Sequence, residues 1–170
     1  MNIEVSKFFR FCPSCSAKLG VIENRLIVCK SCGFHYYLNP VMTVAAILEK
    51  TPGEILLVER KYDPKKGFWD LPGGFVDTHE NIEEAMYREL MEELGVRPEK
   101  LHYIGSTTDL YQYKGVNYNT IIALYKGKIS EKVTPADDAA SVKFFTKKSY
   151  DKKKFAFTKL SEMIENYFEQ

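Results

Sequence analysis

Residues 74–96, GFVDTHENIEEAMYRELMEELGV, constrain the fold more than any other stretch of the chain. Asn81 with Glu84 three residues later is a capping box, which marks a helix start. Glu83 and Glu84 fall in the first turn, where the helix dipole favours negative charge. Gly95 stands where a helix ends on a left-handed residue. These signals predict a helix over residues 82–94. Ile82, Ala85, Met86, Leu90 and Leu94 recur on one side of it, so that side faces a core.

Another face is acidic. Glu89, Glu92 and Glu93 lie at i, i+3 and i+4, so their carboxylates are expected to converge. Like charges at this spacing destabilise a helix by about 0.2–0.5 kcal/mol per pair. No Lys or His is interleaved to offset them. Clustered oxygen ligands suit Mg²⁺ or Mn²⁺, which also bridge substrate phosphates. A cation turns the repulsion into a binding site. The plainer alternative is a solvated acidic face. Arg88 is placed to reach back to Glu80 and clamp the preceding loop to the helix.

Gly74, five residues, Glu80, seven residues, Arg88-Glu89-Leu90, one residue, Glu92-Glu93, one residue and Gly95-Val96 together resemble the whole signature of the Nudix hydrolases. The resemblance extends over about residues 40–168 and implies an α+β fold, an α/β/α sandwich with a mixed sheet. It implies metal-dependent hydrolysis of a nucleoside diphosphate linked to another moiety: NADH, ADP-ribose, a nucleotide sugar or a dinucleoside polyphosphate. By position, Glu89, Glu92 and Glu93 would hold the Mg²⁺ or Mn²⁺, and Arg88 would orient Glu89 or Glu93. The carbonyl of Gly73 would be a further ligand, and Gly74, Glu80 and Gly95 would be structural. One of the three glutamates, or a carboxylate elsewhere, would take the proton of the attacking water.

All four cysteines precede residue 33, as Cys12-Pro-Ser-Cys15 and Cys29-Lys-Ser-Cys32. Each pair fits a tight turn that aims two thiolates at one point, and two such turns complete a tetrahedral Zn²⁺ site. Residues 26–28 can form a short strand between them. Two disulfides and a redox pair are the alternatives. A cytoplasmic setting disfavours the first, and the βα unit that usually carries the second is absent. A closed four-Cys site has no open position for chemistry, so its role is structural. Fewer than 40 residues need such a staple to be ordered at all. A ribbon of this kind can also contact nucleic acid or a second copy. The net charge of +1 and pI near 7.6 favour the staple or dimer reading.

The expected organisation is a small zinc ribbon over residues 1–38 followed by a Nudix domain over residues 39–170, with a hinge at residues 35–40. Apolar runs at residues 41–48 and 54–60 read as a hairpin around Thr51-Pro52-Gly53. Residues 68–71 read as a short strand leading into the glycine loop. Residues 101–109 and 119–125 read as strands joined by a loop over residues 110–116. Residues 126–128 read as a turn into another short strand, residues 134–138 as a loop, and residues 142–145 as a strand. Leu160, Met163, Ile164, Tyr167 and Phe168 give a final amphipathic helix. Arg60, at a strand end, is a candidate phosphate contact, and Tyr111 and Tyr113 are candidates to stack on a base. The resemblance suggests Asp138 as an additional carboxylate.

There is no signal peptide and no apolar run of the ~20 residues a membrane span needs, so a cytoplasmic protein without a membrane partner is expected. The expected partner is a small nucleotide diphosphate derivative. Bulk charge does not propose nucleic acid, and homodimerisation is left open. A ribbon before a Nudix domain resembles the NADH pyrophosphatases, yet only eleven residues precede Cys12, and residues 106–113 read STTDLYQY in place of that subfamily's proline-rich stretch. The ADP-ribose enzymes resemble one another in a proline after the box, and no proline occurs here between Pro98 and Pro135. Two alternatives therefore stand beside the small-molecule hydrolase. One is an enzyme that removes a cap-like nucleotide from an RNA 5′ end, guided by the ribbon. The other is a non-catalytic nucleotide sensor, though such proteins tend to lose the glutamates that this chain retains.

Overall fold

The computed structural model describes residues 3–20, 25–130 and 132–169. They form two compact units, residues 1–41 with 110–119 and residues 42–109 with 120–170. Six strands precede the first helix: β1 (Ile3–Glu4), β2 (Leu26–Val28), β3 (His35–Tyr37), β4 (Val41–Thr51), β5 (Glu54–Arg60) and β6 (Trp69–Asp70). Helix α1 (Ile82–Leu94) follows, then β7 (Leu101–Tyr113), β8 (Val116–Lys128), β9 (Ala139–Thr146) and helix α2 (Thr158–Phe168). A seven-stranded sheet runs β1-β8-β4-β5-β6, with β7 paired to β8 and β9 to β5. It is mixed: β1 runs parallel to β8, and β5 pairs antiparallel with β4, β6 and β9.

The two faces of this sheet explain the apolar runs. Side chains alternate across a strand. Val44, Ala46 and Leu48 of β4 pack with Ala85, Met86, Leu90 and Leu94 of α1. Ala45 and Ile47 between them join Leu160 and Ile164 of α2 on the other side. A strand buried on both faces carries no polar alternation, so β4 and β5 read as continuous hydrophobic segments. The result is an α/β/α sandwich.

Helix α1 begins and ends where its sequence signals place it. The Asn81 side chain accepts from the Glu84 amide at 2.8 Å, and the Glu84 carboxylate accepts from the Asn81 amide at 2.9 Å. Gly95 takes the left-handed conformation at φ 67°. Replacing Asn81 by Ala is expected to lower stability by about 1 kcal/mol. A thermal melt unchanged from wild type would show that the box adds nothing.

Three expectations need correction. The segment over residues 110–116 is not a loop: β7 and β8 are long strands joined at Lys114 and Gly115, both with positive φ. The turn expected at residues 126–128 is the continuation of β8. Gly127 marks a close approach there: a Cβ would lie 2.7 Å from Leu101 Cδ2 and 3.2 Å from the Lys100 carbonyl oxygen. The hinge expected from residue 35 begins instead as strand β3. It pairs with β2 in the register Leu26–Tyr37, Ile27–Tyr36 and Val28–His35. Among the described residues, no helix is long and apolar enough to cross a membrane.

Candidate functional site

The residues that build the acidic site come from β4, the loop after β6, and α1. The loop lies along β4: the Ala46 amide donates to the Pro72 carbonyl at 3.0 Å and the Val44 amide to the Gly74 carbonyl at 2.9 Å. Between them the Gly73 carbonyl has no donor among the described residues. Gly73 sits at φ 143°, and a Cβ there would lie 2.1 Å from the Val44 carbonyl oxygen, so only glycine fits. A Cβ on Gly74 would lie 2.4 Å from Glu89 Oε1, which leaves the Glu89 carboxylate seated on bare backbone.

Glu93 is 5 % exposed, among the buried positions of α1. Its Oε2 accepts from the Gly73 amide at 2.9 Å. Burial pushes its carboxyl well above the usual range, the Gly73 amide pulls it back, and the charges of Glu89, Asp70 and Asp138 push it up again. Burial also raises Glu89, against the pull of Arg88 and with the repulsion of Glu92 and Asp138.

Arg88 organises the remainder. Its Nε donates to Glu80 Oε2 at 3.0 Å and its Nη2 to Glu80 Oε1 at 2.5 Å. Nη2 also donates to the Phe75 carbonyl, and Nη1 donates to Glu89 Oε1 and Glu92 Oε2, both at 2.9 Å. Glu80 is held below the usual carboxylate range by Arg88 and by the Asp77 amide. The expectation that the three glutamates converge is met only in part. Arg88 holds Glu89 and Glu92, whereas Glu93 turns inward to Gly73. Among the described residues these carboxylates do not close into a set of three donors within 4.8 Å, as the cysteines do.

The other candidates divide. Asp138 follows a loop tied to α1, where the Ala136 amide donates to the Glu93 carbonyl and the Thr134 amide to the Leu94 carbonyl. Its charge is felt by both Glu89 and Glu93. Arg60 does not stand free for a phosphate. Its Nη1 donates to Asp70 Oδ2 at 2.9 Å and its Nε to the Pro64 carbonyl at 2.7 Å, and its guanidinium lies 5.2 Å from the centre of the Phe157 ring. A buried carboxylate opposite a strand end accounts for the arginine, and periodicity along one strand could not reveal it. Tyr111 and Tyr113, with ring centroids 6.4 Å apart, belong to the smaller unit.

Asp70 itself went unnoticed in the sequence. Burial pushes its carboxyl up to about 6, against the pull of Arg60. A carboxyl raised in the folded state favours folding fully below its ordinary value of 3.8, and that contribution is lost as pH rises to about 6. Asp70→Asn is therefore expected to flatten the stability profile across this interval. Denaturant titrations that decline in parallel for both proteins would exclude Asp70 as the titrating group.

In the smaller unit the four Sγ atoms lie within 4.8 Å of one another. Cys12 and Cys32 are 3.7 Å apart, as are Cys15 and Cys29. A disulfide needs about 2.05 Å, whereas a tetrahedron with Zn–S bonds of about 2.3 Å places its sulfurs about 3.8 Å apart. The two turns share one hydrogen-bond pattern. Ser16 and Gly33 amides donate to the Cys12 and Cys29 carbonyls, and Cys12 and Cys29 amides donate to the Ala17 and Phe34 carbonyls. Ser16 and Gly33 both take positive φ, 61° and 76°. The backbone amides of Cys32 and Ser31 lower the Cys29 thiol, whereas the neighbouring cysteines and burial raise that of Cys15.

The mixed-sheet sandwich, with its acidic helix braced against a glycine loop, has the architecture of solved Nudix proteins. The chain belongs to the Nudix family: the NUDIX domain model matches residues 39–167. It is 33% identical over 127 residues to the ADP-ribose pyrophosphatase of Methanocaldococcus jannaschii, covering 75% of this chain and 74% of that protein. It is 28% identical over 130 residues to the NAD-capped RNA hydrolase NudC of Pseudomonas aeruginosa, covering 76% of this chain and 44% of that one. The chain thus matches less than half the length of that relative. A NUDIX hydrolase from Nitrosomonas europaea shares the fold with a TM-score of 0.69 at 22% identity, over 94% of this chain and 90% of the other.

Proposed function

We propose that this protein uses a divalent cation to hydrolyse the diphosphate bridge of a nucleoside diphosphate linked to another moiety, with ADP-ribose the first candidate. The observation that carries the reading is the pairing of buried Glu93 with the Gly73 backbone. That carboxylate is opposed by neighbouring acids and relieved only by one amide, and the adjacent Gly73 carbonyl lacks a donor among the described residues. Anionic and carbonyl oxygens left in this state suit Mg²⁺ or Mn²⁺. Glu89, Glu92, Glu93 and the Gly73 carbonyl would hold it. Bound there, it would supply positive charge against the diphosphate and ease deprotonation of the attacking water.

The chain's own residues do the rest. Arg88 keeps Glu89 and Glu92 oriented through Nη1 while its other nitrogens anchor it to Glu80 and Phe75. Gly73 and Gly74 keep Cβ atoms out of the site. A carboxylate of the set, Asp138 included, accepts the water's proton. The four cysteines hold a structural Zn²⁺ in a ribbon over residues 1–38, ahead of a Nudix domain over residues 39–170. A thiol-bound metal is consistent with a cytoplasmic location. Likeness in sequence and extent to the archaeal ADP-ribose pyrophosphatase supports the substrate class. A second reading, action on a nucleotide at an RNA 5′ end, draws on the likeness to the NAD-capped RNA hydrolase.

The test is product release from NADH, ADP-ribose, nucleotide sugars, dinucleoside polyphosphates and NAD-capped RNA, with Mg²⁺ and with Mn²⁺. Turnover of ADP-ribose or a related dinucleotide above all others is expected. Folded, zinc-loaded protein that cleaves none of the small molecules would overturn the reading.

A further inference from the structure

The net charge of +1 conceals a segregation. Residues 1–41 and 110–119 carry Lys7, Arg10, Lys18, Arg25, Lys30 and Lys114 against Glu4 and Glu23, a net +4, so the larger unit is −3. All six cations are exposed. Every ion pair found among the described residues lies in the larger unit, so these six face water without a carboxylate partner there.

The same unit concentrates exposed aromatic rings. Twelve large apolar side chains are exposed among the described residues, and seven belong to this unit, which is under a third of the chain. Five are aromatic: Phe8, Phe11, Tyr36, Tyr37 and Tyr113, with Phe8 at 56 % and Phe11 at 62 % exposure. Rings and cations interleave. Arg10 separates Phe9 from Phe11 in sequence, the Arg25 guanidinium lies 5.7 Å from the Tyr37 ring centre, and the Lys114 ammonium lies 5.1 Å from that of Tyr113. At Arg25–Tyr37 and at Lys114–Tyr113 an exposed ring and an exposed cation share one place on the surface. Exposed cations beside rings suit a chain of phosphates and flat bases. A second copy docking through the same unit would bring +4 against +4.

We propose that the cysteine-bearing unit binds single-stranded nucleic acid, its lysines and arginines along the phosphates and its exposed rings against the bases. This role does not rest on the substrate assigned above.

The test is fluorescence anisotropy of labelled oligo-uridylate and oligo-thymidylate of about 12 nucleotides with the full, zinc-loaded chain. Micromolar binding is expected. If four cations contact phosphates, affinity falls about 50-fold between about 50 and about 200 mM salt. Arg10→Glu with Lys30→Glu should weaken binding at least tenfold and make the salt dependence shallower. Phe8→Ser with Phe11→Ser should weaken it about tenfold with the salt slope unchanged. Both variants should keep wild-type ADP-ribose turnover. Preference for the RNA strand would identify a contact to the 2′-hydroxyl, and equal affinity would identify phosphate and stacking contacts alone. No binding at about 100 µM protein in low salt would overturn the proposal. So would binding that both variants retain in full, or a Phe variant that dissociates a dimer and leaves oligonucleotide affinity untouched.

Discussion

Glu93→Gln is expected to lower kcat on the best substrate about 10³-fold, or about 4 kcal/mol of barrier, in protein that melts no lower than wild type. The two halves of this result have one cause. Glutamine keeps the volume of the side chain, and its amide oxygen can still accept from the Gly73 amide, so the packing of α1 survives. It removes a charge that burial and three neighbouring acids disfavour. The folded protein therefore loses nothing when the cation is absent, and the reaction loses an anionic ligand. Glu92 offers the contrast. It is exposed and held by Arg88, so Glu92→Gln should be milder. Turnover by Glu93→Gln within about fivefold of wild type would remove Glu93 from the mechanism, since that corresponds to only about 1 kcal/mol.

Removal of zinc is expected to have the largest structural effect. The smaller unit has a slight core: Cys12, Leu19, Ile27 and Cys29, with Phe9, Ala17, Phe34 and Leu38 partly buried around it. Two of the four central residues are cysteines that would hold the ion. Structural zinc contributes about 10–16 kcal/mol in small domains at neutral pH, far more than a core this size supplies. Purified protein should contain one zinc per chain by atomic emission. Chelation, or Cys29→Ser, should erase the dispersed amide signals of residues 25–38 while those of α1 persist. Ribbon signals that survive complete loss of zinc would show that packing alone orders the segment.

Local chemistry made α1 readable: Asn81, Glu84 and Gly95 act within a turn of where they stand, so its ends fall where the sequence places them. The paired cysteines were readable for the same reason. The β7–β8 hairpin was not. Its turn is Lys114-Gly115, in which a lysine adopts φ 47° in place of the Asn or Asp that announces such turns. Gly127 was misread as punctuation because its reason lies across the sheet, against Leu101. Ser16 gave no sign that it matches Gly33, since serine rarely takes positive φ. At the site, Glu80 and Arg88 could be paired by spacing, but the inward turn of Glu93 depends on the Gly73 amide, twenty residues away. The bond between Arg60 and Asp70 likewise joins two strands, and no single window contains it.

The two-faced burial of β4 bears on which changes the chain can tolerate. A strand with one wet side can absorb an error by exposing it. Here residues 44–48 are all buried, with small and large side chains assigned alternately to the layers beneath α1 and α2. One inserted residue would hand each layer the other's set of shapes at once and drag the neighbouring glycine loop out of step with the strand. Length variation among functional descendants of this sequence should therefore be confined to the turns, and viable changes within residues 44–48 should be exchanges of like size.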